Sequence, residues 1–169
     1  QELATIILNH VGREWLPDAI AAPATIIPIP NSDMITGSGN DHKIIKSCET
    51  LLAGYNASEG KQHVLSMQPD LRWDEVHEPS HTRPGYRSPS QYDGRFRLAK
   101  PIHGPVLLFD DVYTSGSQAK AAALFLSSQG ADVKGIVTIA KTTHEPSERP
   151  ISWRKSQCNL DVSGLADFS

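Results

Sequence analysis

Cysteine is scarce in this chain: 2 among 169 residues, Cys48 and Cys158. Two thiols do not make a disulfide framework. With no CxxC pair and no clustered histidines beside them, they do not make a zinc site either, and reduced thiols in a cytoplasmic protein are the expected state. No run approaches the roughly 18 consecutive apolar residues of a membrane span, so no membrane association is expected. The start of the chain lacks a basic segment followed by an apolar run, so no secretory signal is expected. It also lacks an initiator Met, which leaves open whether residues precede Gln1. A large excess of either charge is missing too. Lys plus Arg total 16 against 19 Asp plus Glu, a formal charge of −3, which makes nucleic acid an unlikely partner for the chain alone. Charged residues at 21% are too few for a self-repelling disordered chain. There is no internal repeat and no low-complexity tract.

What is present is an alternation of short apolar runs and amphipathic stretches. Leu3, Ile6, Ile7 and Val11 predict a helix over residues 1 to about 20, closed near Pro17. Thr25–Ile29 is strand-like, and Pro28 and Pro30 imply a strand end rather than a central ladder. Ile44, Ile45, Cys48, Leu51 and Leu52 share one helical face, with Asn40 or Asp41 as cap and Gly54 as a left-handed stop. A weak strand is expected at residues 63–67. Residues 68–100 are polar, aperiodic and rich in Pro, Ser and Arg, and are expected to form a long mobile loop. Val106–Phe109 is continuously apolar, as in a strand buried on both faces. An Ala-rich helix from Ser117 to Gln129 and a strand over residues 135–140 follow. The expected fold is one α/β domain over residues 1–169, with a mostly parallel sheet flanked by helices and an irregular C-terminal segment over 143–169.

Chemistry concentrates in residues 107–117, Leu-Leu-Phe-Asp-Asp-Val-Tyr-Thr-Ser-Gly-Ser. Two acids stand where a buried strand ends, followed by a hydroxyl-rich turn and a helix start. Ligands of open α/β sheets bind outside the carboxyl ends of strands. A helix start offers free amides and a positive dipole end to a phosphate. Gly116 permits close backbone approach, and Thr114, Ser115 and Ser117 can donate hydroxyl hydrogen bonds. Asp110 and Asp111 are acceptors, suited to sugar hydroxyls or a hydrated divalent cation. The stretch therefore describes a pocket for a phosphorylated sugar with vicinal hydroxyls and a metal. An ordinary capped turn explains the Ser and Thr but not two acids after four apolar residues.

This stretch resembles the phosphoribosyl-pyrophosphate signature of type I phosphoribosyltransferases. The ComF-like branch, linked to competence proteins, is the nearest likeness: Ile27-Pro28-Ile29-Pro30 is similar to its first strand, Gly39-Asn40 to the residues before its first helix, and Ser90-Gln91 to a motif ahead of the signature. The resemblance is patchy over residues 25–142 and strong at 106–130. It implies that Asp110 and Asp111 are the catalytic pair, holding the ribose 2′- and 3′-hydroxyls and Mg2+. It places Thr114, Ser115, Gly116 and Ser117 around the 5′-phosphate, and Pro30, Asn31 and Ser32 against pyrophosphate. Residues from about 77 to 97 become a mobile loop over the reacting centre, and the tail with Trp153 and Arg154 a small C-terminal hood.

The charge distribution agrees with that loop. Residues 81–100 hold Arg83, Arg87, Arg95, Arg97 and Lys100 against Asp93, a net of +4 that leaves −7 for the remainder. Such a positive island suits a dense anion, and Arg83 and Arg87 are the preferred pyrophosphate ligands. The 7 histidines are scattered, and His77 and His81, four apart, read as surface residues. The implied reaction transfers a phosphoribosyl group to a nitrogenous base or amine, releases pyrophosphate and needs no covalent intermediate. Thr114 stands where 6-oxopurine enzymes carry an acid, which counts against hypoxanthine or guanine as acceptor. The Asn31–Gly39 loop has no Lys or Arg, which keeps open a second class: a non-catalytic sugar-phosphate or nucleotide sensor acting through a protein partner, in a bacterial defence or competence system. A homodimer or a complex with other proteins is compatible with either.

Overall fold

The computed structural model describes residue 13 and residues 23–57, 65–76 and 88–141. The expected N-terminal helix and C-terminal hood lie outside these residues. Four parallel strands form the main sheet in the order β2-β1-β5-β6: β1 is Ala24–Pro28, β2 Leu65–Met67, β5 Gly104–Tyr113 and β6 Ala131–Lys141. Helix α1 (Lys43–Asn56) connects β1 to β2, and helix α2 (Ser117–Ser128) connects β5 to β6. The fold is α/β, with a parallel sheet flanked by helices.

Alternation along the central strands builds two cores. Ile26, Leu107 and Phe109 join Ile44, Ile45, Cys48, Leu51, Leu52 and Tyr55 of α1. The intervening Ile27, Val106 and Leu108 join Ala119, Ala122, Ala123 and Leu126 of α2. Side chains one residue apart on a strand point to opposite faces, so each central strand is buried from both sides, as its continuous hydrophobicity requires. Full burial of a side chain such as Phe109 or Leu108 contributes about 1.5–3 kcal/mol. The alanines of α2 let its backbone lie close to the sheet. Helix α2 runs to Ser128, and Gly130, just past its cap, has a φ of 89° in the left-handed region.

Several expectations need correction. The short strand β1 ends at Pro28 as expected, although it lies between β2 and β5 in the sheet; one further ladder bond runs from the Ile29 amide to the Phe109 carbonyl at 2.8 Å. Gly54 does not stop α1; it is buried within a helix that runs on to Asn56. Neither Asn40 nor Asp41 caps that helix. His42 occupies the cap without a side-chain capping bond, while Asn40 and Asp41 hydrogen-bond to Arg72 and Lys46.

Residues 68–100 are not one long loop. They contain β3 (Leu71–Trp73), a 3-10 helix (Pro89–Tyr92) and β4 (Phe96–Leu98), with β3 and β4 paired antiparallel. Leu71, Trp73, Tyr92 and Phe96 belong to the second core. Trp73 stacks on Phe96 with ring centroids 4.4 Å apart and an interplanar angle of 21°. This small ribbon stands beside the carboxyl end of β1.

Candidate functional site

Strand β5 does not end at the acids. It carries Asp110 and Asp111 as strand residues and continues to Tyr113. Asp110 and Val112 line a surface depression together with Tyr92, Thr114, Ser115, Gly116, Ser117 and Gln118. Asp111 is exposed and does not line it. The two acids are neighbours in sequence but differ in environment.

The electrostatics express that difference. Burial pushes the Asp110 carboxyl up to about 7, and the negative charge of Asp111 adds to the rise. Hydrogen bonds from the backbone at Asp111 and Val112 act in the opposite direction and do not offset it. Desolvation and a like charge both disfavour the carboxylate. A cation beside the two acids would relieve both effects. The donor set fits Mg2+, which is held by one or two carboxylates plus ligand oxygens rather than by an all-protein cage. Among the described residues no cluster of three or more His, Cys, Asp or Glu is present, so such an ion would depend on oxygens brought by its ligand.

The turn after β5 is organised before any ligand arrives. Gly116 has a φ of 74° and forms the cap of α2. A Cβ there would meet the Tyr113 ring and hydroxyl, which would have to move, and the left-handed backbone strains any other residue. The Ser115 hydroxyl donates to Ser117 Oγ at 3.0 Å and accepts from the Ser117 amide at 3.3 Å. One of the amides expected to face a phosphate is therefore already engaged, and the hydroxyls share the work of lining the cradle.

The loop after β1 is tied to this turn. Gln118 Nε2 donates to the Pro30 carbonyl at 2.9 Å. Trp73 Nε1 donates to the carbonyls of Pro30 at 3.1 Å and Asn31 at 2.9 Å. Pro30 and Asn31 thus stand beside the start of α2, and Ser32 follows half-buried. Arg83 and Arg87 lie outside the described residues. Of the segment expected to close over the centre, 88–97 is described, and it supplies Tyr92 to the wall of the depression.

Sequence reasoning missed the roles of Trp73, Tyr92 and Gln118. Gln118 is tied by its side chain to the Pro30 carbonyl, a link between residues 88 positions apart. Nothing local in the sequence announces that the Trp73 indole reaches carbonyls more than 40 positions away.

No protein-family model matches the chain, and comparison with curated protein sequences finds no match. Among solved structures it overlays hypoxanthine phosphoribosyltransferase from Staphylococcus aureus in a tetragonal crystal, with 13% identity, a TM-score of 0.47, and coverage of 85% of this chain and 75% of that one. It overlays adenine phosphoribosyltransferase from Saccharomyces cerevisiae with 14% identity and a TM-score of 0.39 over 84% and 68% of the two chains. Orotate phosphoribosyltransferase from Aeropyrum pernix overlays with 14% identity and a TM-score of 0.37 over 83% and 70%. At such identities a likeness concerns the fold alone. Among the described residues no helix is long and apolar enough to cross a membrane.

Proposed function

We propose that this chain is a type I phosphoribosyltransferase-like protein that binds phosphoribosyl pyrophosphate with Mg2+ and transfers the phosphoribosyl group to a nitrogenous acceptor. One observation carries the reading: Asp110, Thr114, Ser115, Gly116, Ser117 and Gln118 line a single depression at the carboxyl end of a buried parallel strand. That is where an open α/β sheet presents its ligand site, and the residues match a phosphate-and-pentose signature in order and spacing.

In this reading the Thr114–Ser117 turn receives the 5′-phosphate on hydroxyls and helix-start amides. Asp110 and Asp111 accept hydrogen bonds from the ribose hydroxyls and would hold Mg2+, which when bound would neutralise charge on the departing pyrophosphate. The buried carboxyl of Asp110 faces the sugar side of the depression, and the Pro30–Ser32 loop lies against the pyrophosphate. Arg83 and Arg87 are assigned to that leaving group too. Exclusion of water protects the activated sugar from hydrolysis. The nitrogen acceptor attacks C1 as the C1–O bond to pyrophosphate breaks, so no serine or cysteine nucleophile is used.

The absence of Lys and Arg from Asn31–Gly39 supports a second reading, a sensor that binds the same ligand without turning it over and signals through a protein partner. Titration calorimetry with phosphoribosyl pyrophosphate and Mg2+ is the first test. Binding is expected, and its loss in the double variant Asp110→Asn, Asp111→Asn with an intact fold. Undiminished affinity in that variant would refute the assignment of the acids. Pyrophosphate release with a panel of bases then separates enzyme from sensor.

A further inference from the structure

Two features of the start of α2 meet in one residue, Gln118. The first backbone bond of the helix runs from the Lys120 amide to the Gly116 carbonyl at 2.8 Å, and the Ser117 amide is taken by Ser115 Oγ at 3.3 Å. Among the described residues, the Gln118 and Ala119 amides are then the two of the first turn with no hydrogen-bond partner. Both residues line the depression. These are the helix-start amides that a phosphate seated there can engage.

The side chain of the same residue leaves the helix for a distant partner. Gln118 Nε2 donates to the Pro30 carbonyl at 2.9 Å, and that carbonyl also accepts from Trp73 Nε1 at 3.1 Å. A carbonyl oxygen has two lone pairs, so the two donors saturate it. Trp73 is buried, stacks on Phe96, and lies 5.8 Å centroid to centroid from Tyr92, a wall of the depression. Two routes therefore lead from the depression to the Trp73 indole. One passes through Gln118 and the shared oxygen, the other through the Tyr92 ring. They differ in kind. Hydrogen bonds on one oxygen weaken steeply with distance and angle, whereas the tilted contact of Tyr92 with Trp73, at 32°, is apolar and much less directional.

We infer that Gln118 is a positioning residue that couples occupancy of the α2 start to the Pro30–Trp73 junction. This rests on the function proposed above and adds to it an internal signal: the state of the helix start is felt at the indole without contact between ligand and Trp73. A phosphate drawing in the Gln118 backbone amide moves the anchor of its side chain. The Nε2 bond to Pro30 then changes in length or angle, and the carbonyl it shares with Trp73 Nε1 readjusts. The coupling runs through one contiguous chain of named bonds, with each end in a different element. In the proposed reaction, it sets the loop after β1 according to whether the phosphoribosyl end is seated.

The test follows the Trp73 indole N–H in nitrogen-15 spectra of the full chain, assigned by its loss in Trp73→Phe, as ribose 5-phosphate is added. In the wild type the signal should move to a saturating value that tracks binding. Gln118→Met removes the donor while keeping side-chain length and helix preference, and Pro30 keeps its bond from Trp73, so the variant should fold. It should bind ribose 5-phosphate within about threefold of the wild type, yet its indole signal should move by about a third as much or less. Gln118→Ala is the second variant, with the same expectation. A stationary indole in the saturated wild type, or a full-sized shift in both variants, overturns the inference; the second result assigns the route to Tyr92. If ribose 5-phosphate binding is still lost in Asp110→Asn, Asp111→Asn, either result leaves the proposed function standing. A Gln118-dependent shift with inorganic phosphate, and no tighter binding of ribose 5-phosphate, supports the inference and removes the proposed function. Binding of neither probe overturns both.

Discussion

Replacing Asp110 by Asn should stabilise the protein, and only where the carboxyl is ionised. Its pKa is raised from 3.8 to about 7 in the folded chain, by burial first and by Asp111 second. The native state therefore binds this proton more tightly than the unfolded state does. Below pH 4 both states hold it and the group contributes nothing to the pH dependence. Between pH 4 and 7 the unfolded state ionises first, so stability falls as pH rises, and above pH 7 the penalty is complete. At about 1.4 kcal/mol per tenfold in proton affinity, the ceiling is about 4 kcal/mol. The carboxyl borders an open depression, so water and local relaxation reduce this to roughly 1–3 kcal/mol. Asn keeps an oxygen for the Asp111 and Val112 backbone donors and removes the charge. For a chain of this length, about 2–4 °C per kcal/mol applies. Scanning calorimetry should find Asp110→Asn melting roughly 2–12 °C above the wild type at pH 8, with most of the gain gone at pH 4.5. No gain at pH 8, or an equal gain at both pH values, would refute the argument that a desolvated, repelled charge sits at this position.

Two further outcomes follow from the packing. Trp73→Phe keeps the ring contact with Phe96 but removes the indole donor shared by the Pro30 and Asn31 carbonyls. It should cost about 1–3 kcal/mol and speed hydrogen exchange around Asn31–Thr36; unaltered exchange would show that the indole bond does not hold the loop. Cys48 is fully buried, and burial pushes its thiol up to about 12. It should react with a thiol reagent at pH 8 only as fast as the protein opens, and reaction at the rate of a free thiol would contradict its place in the core.

The main sheet and the signature were readable because their signals are local and periodic. Val106–Phe109 reads as a strand buried on both faces, and α1 shows its apolar face at helical spacing; the structure has both. β3 and β4 were not readable, for an identifiable reason. Each has three residues, too few for a period-2 pattern to emerge. In β3 the middle residue is a buried arginine, which breaks whatever alternation would remain. These strands exist because Trp73 and Phe96 fill the second core and because the loop after β1 supplies backbone partners, all of it distant in sequence. The capping of α1 failed as an expectation for a related reason: the best local cap, Asn40, is drawn away by Arg72.

The same contrast separates the two acids. A doublet Asp110-Asp111 reads as one feature, and only the strand geometry distinguishes its members. Because β5 continues past them, one lines the depression and the other stays in solvent. Their coupling sets the local electrostatics: the negative charge of Asp111 adds to the burial that raises the Asp110 carboxyl to about 7. Under the proposed function, a ligand that brought a divalent cation would relieve that repulsion, so part of its affinity would come from the raised free energy of the unliganded acids and would fall as Asp110 takes up a proton.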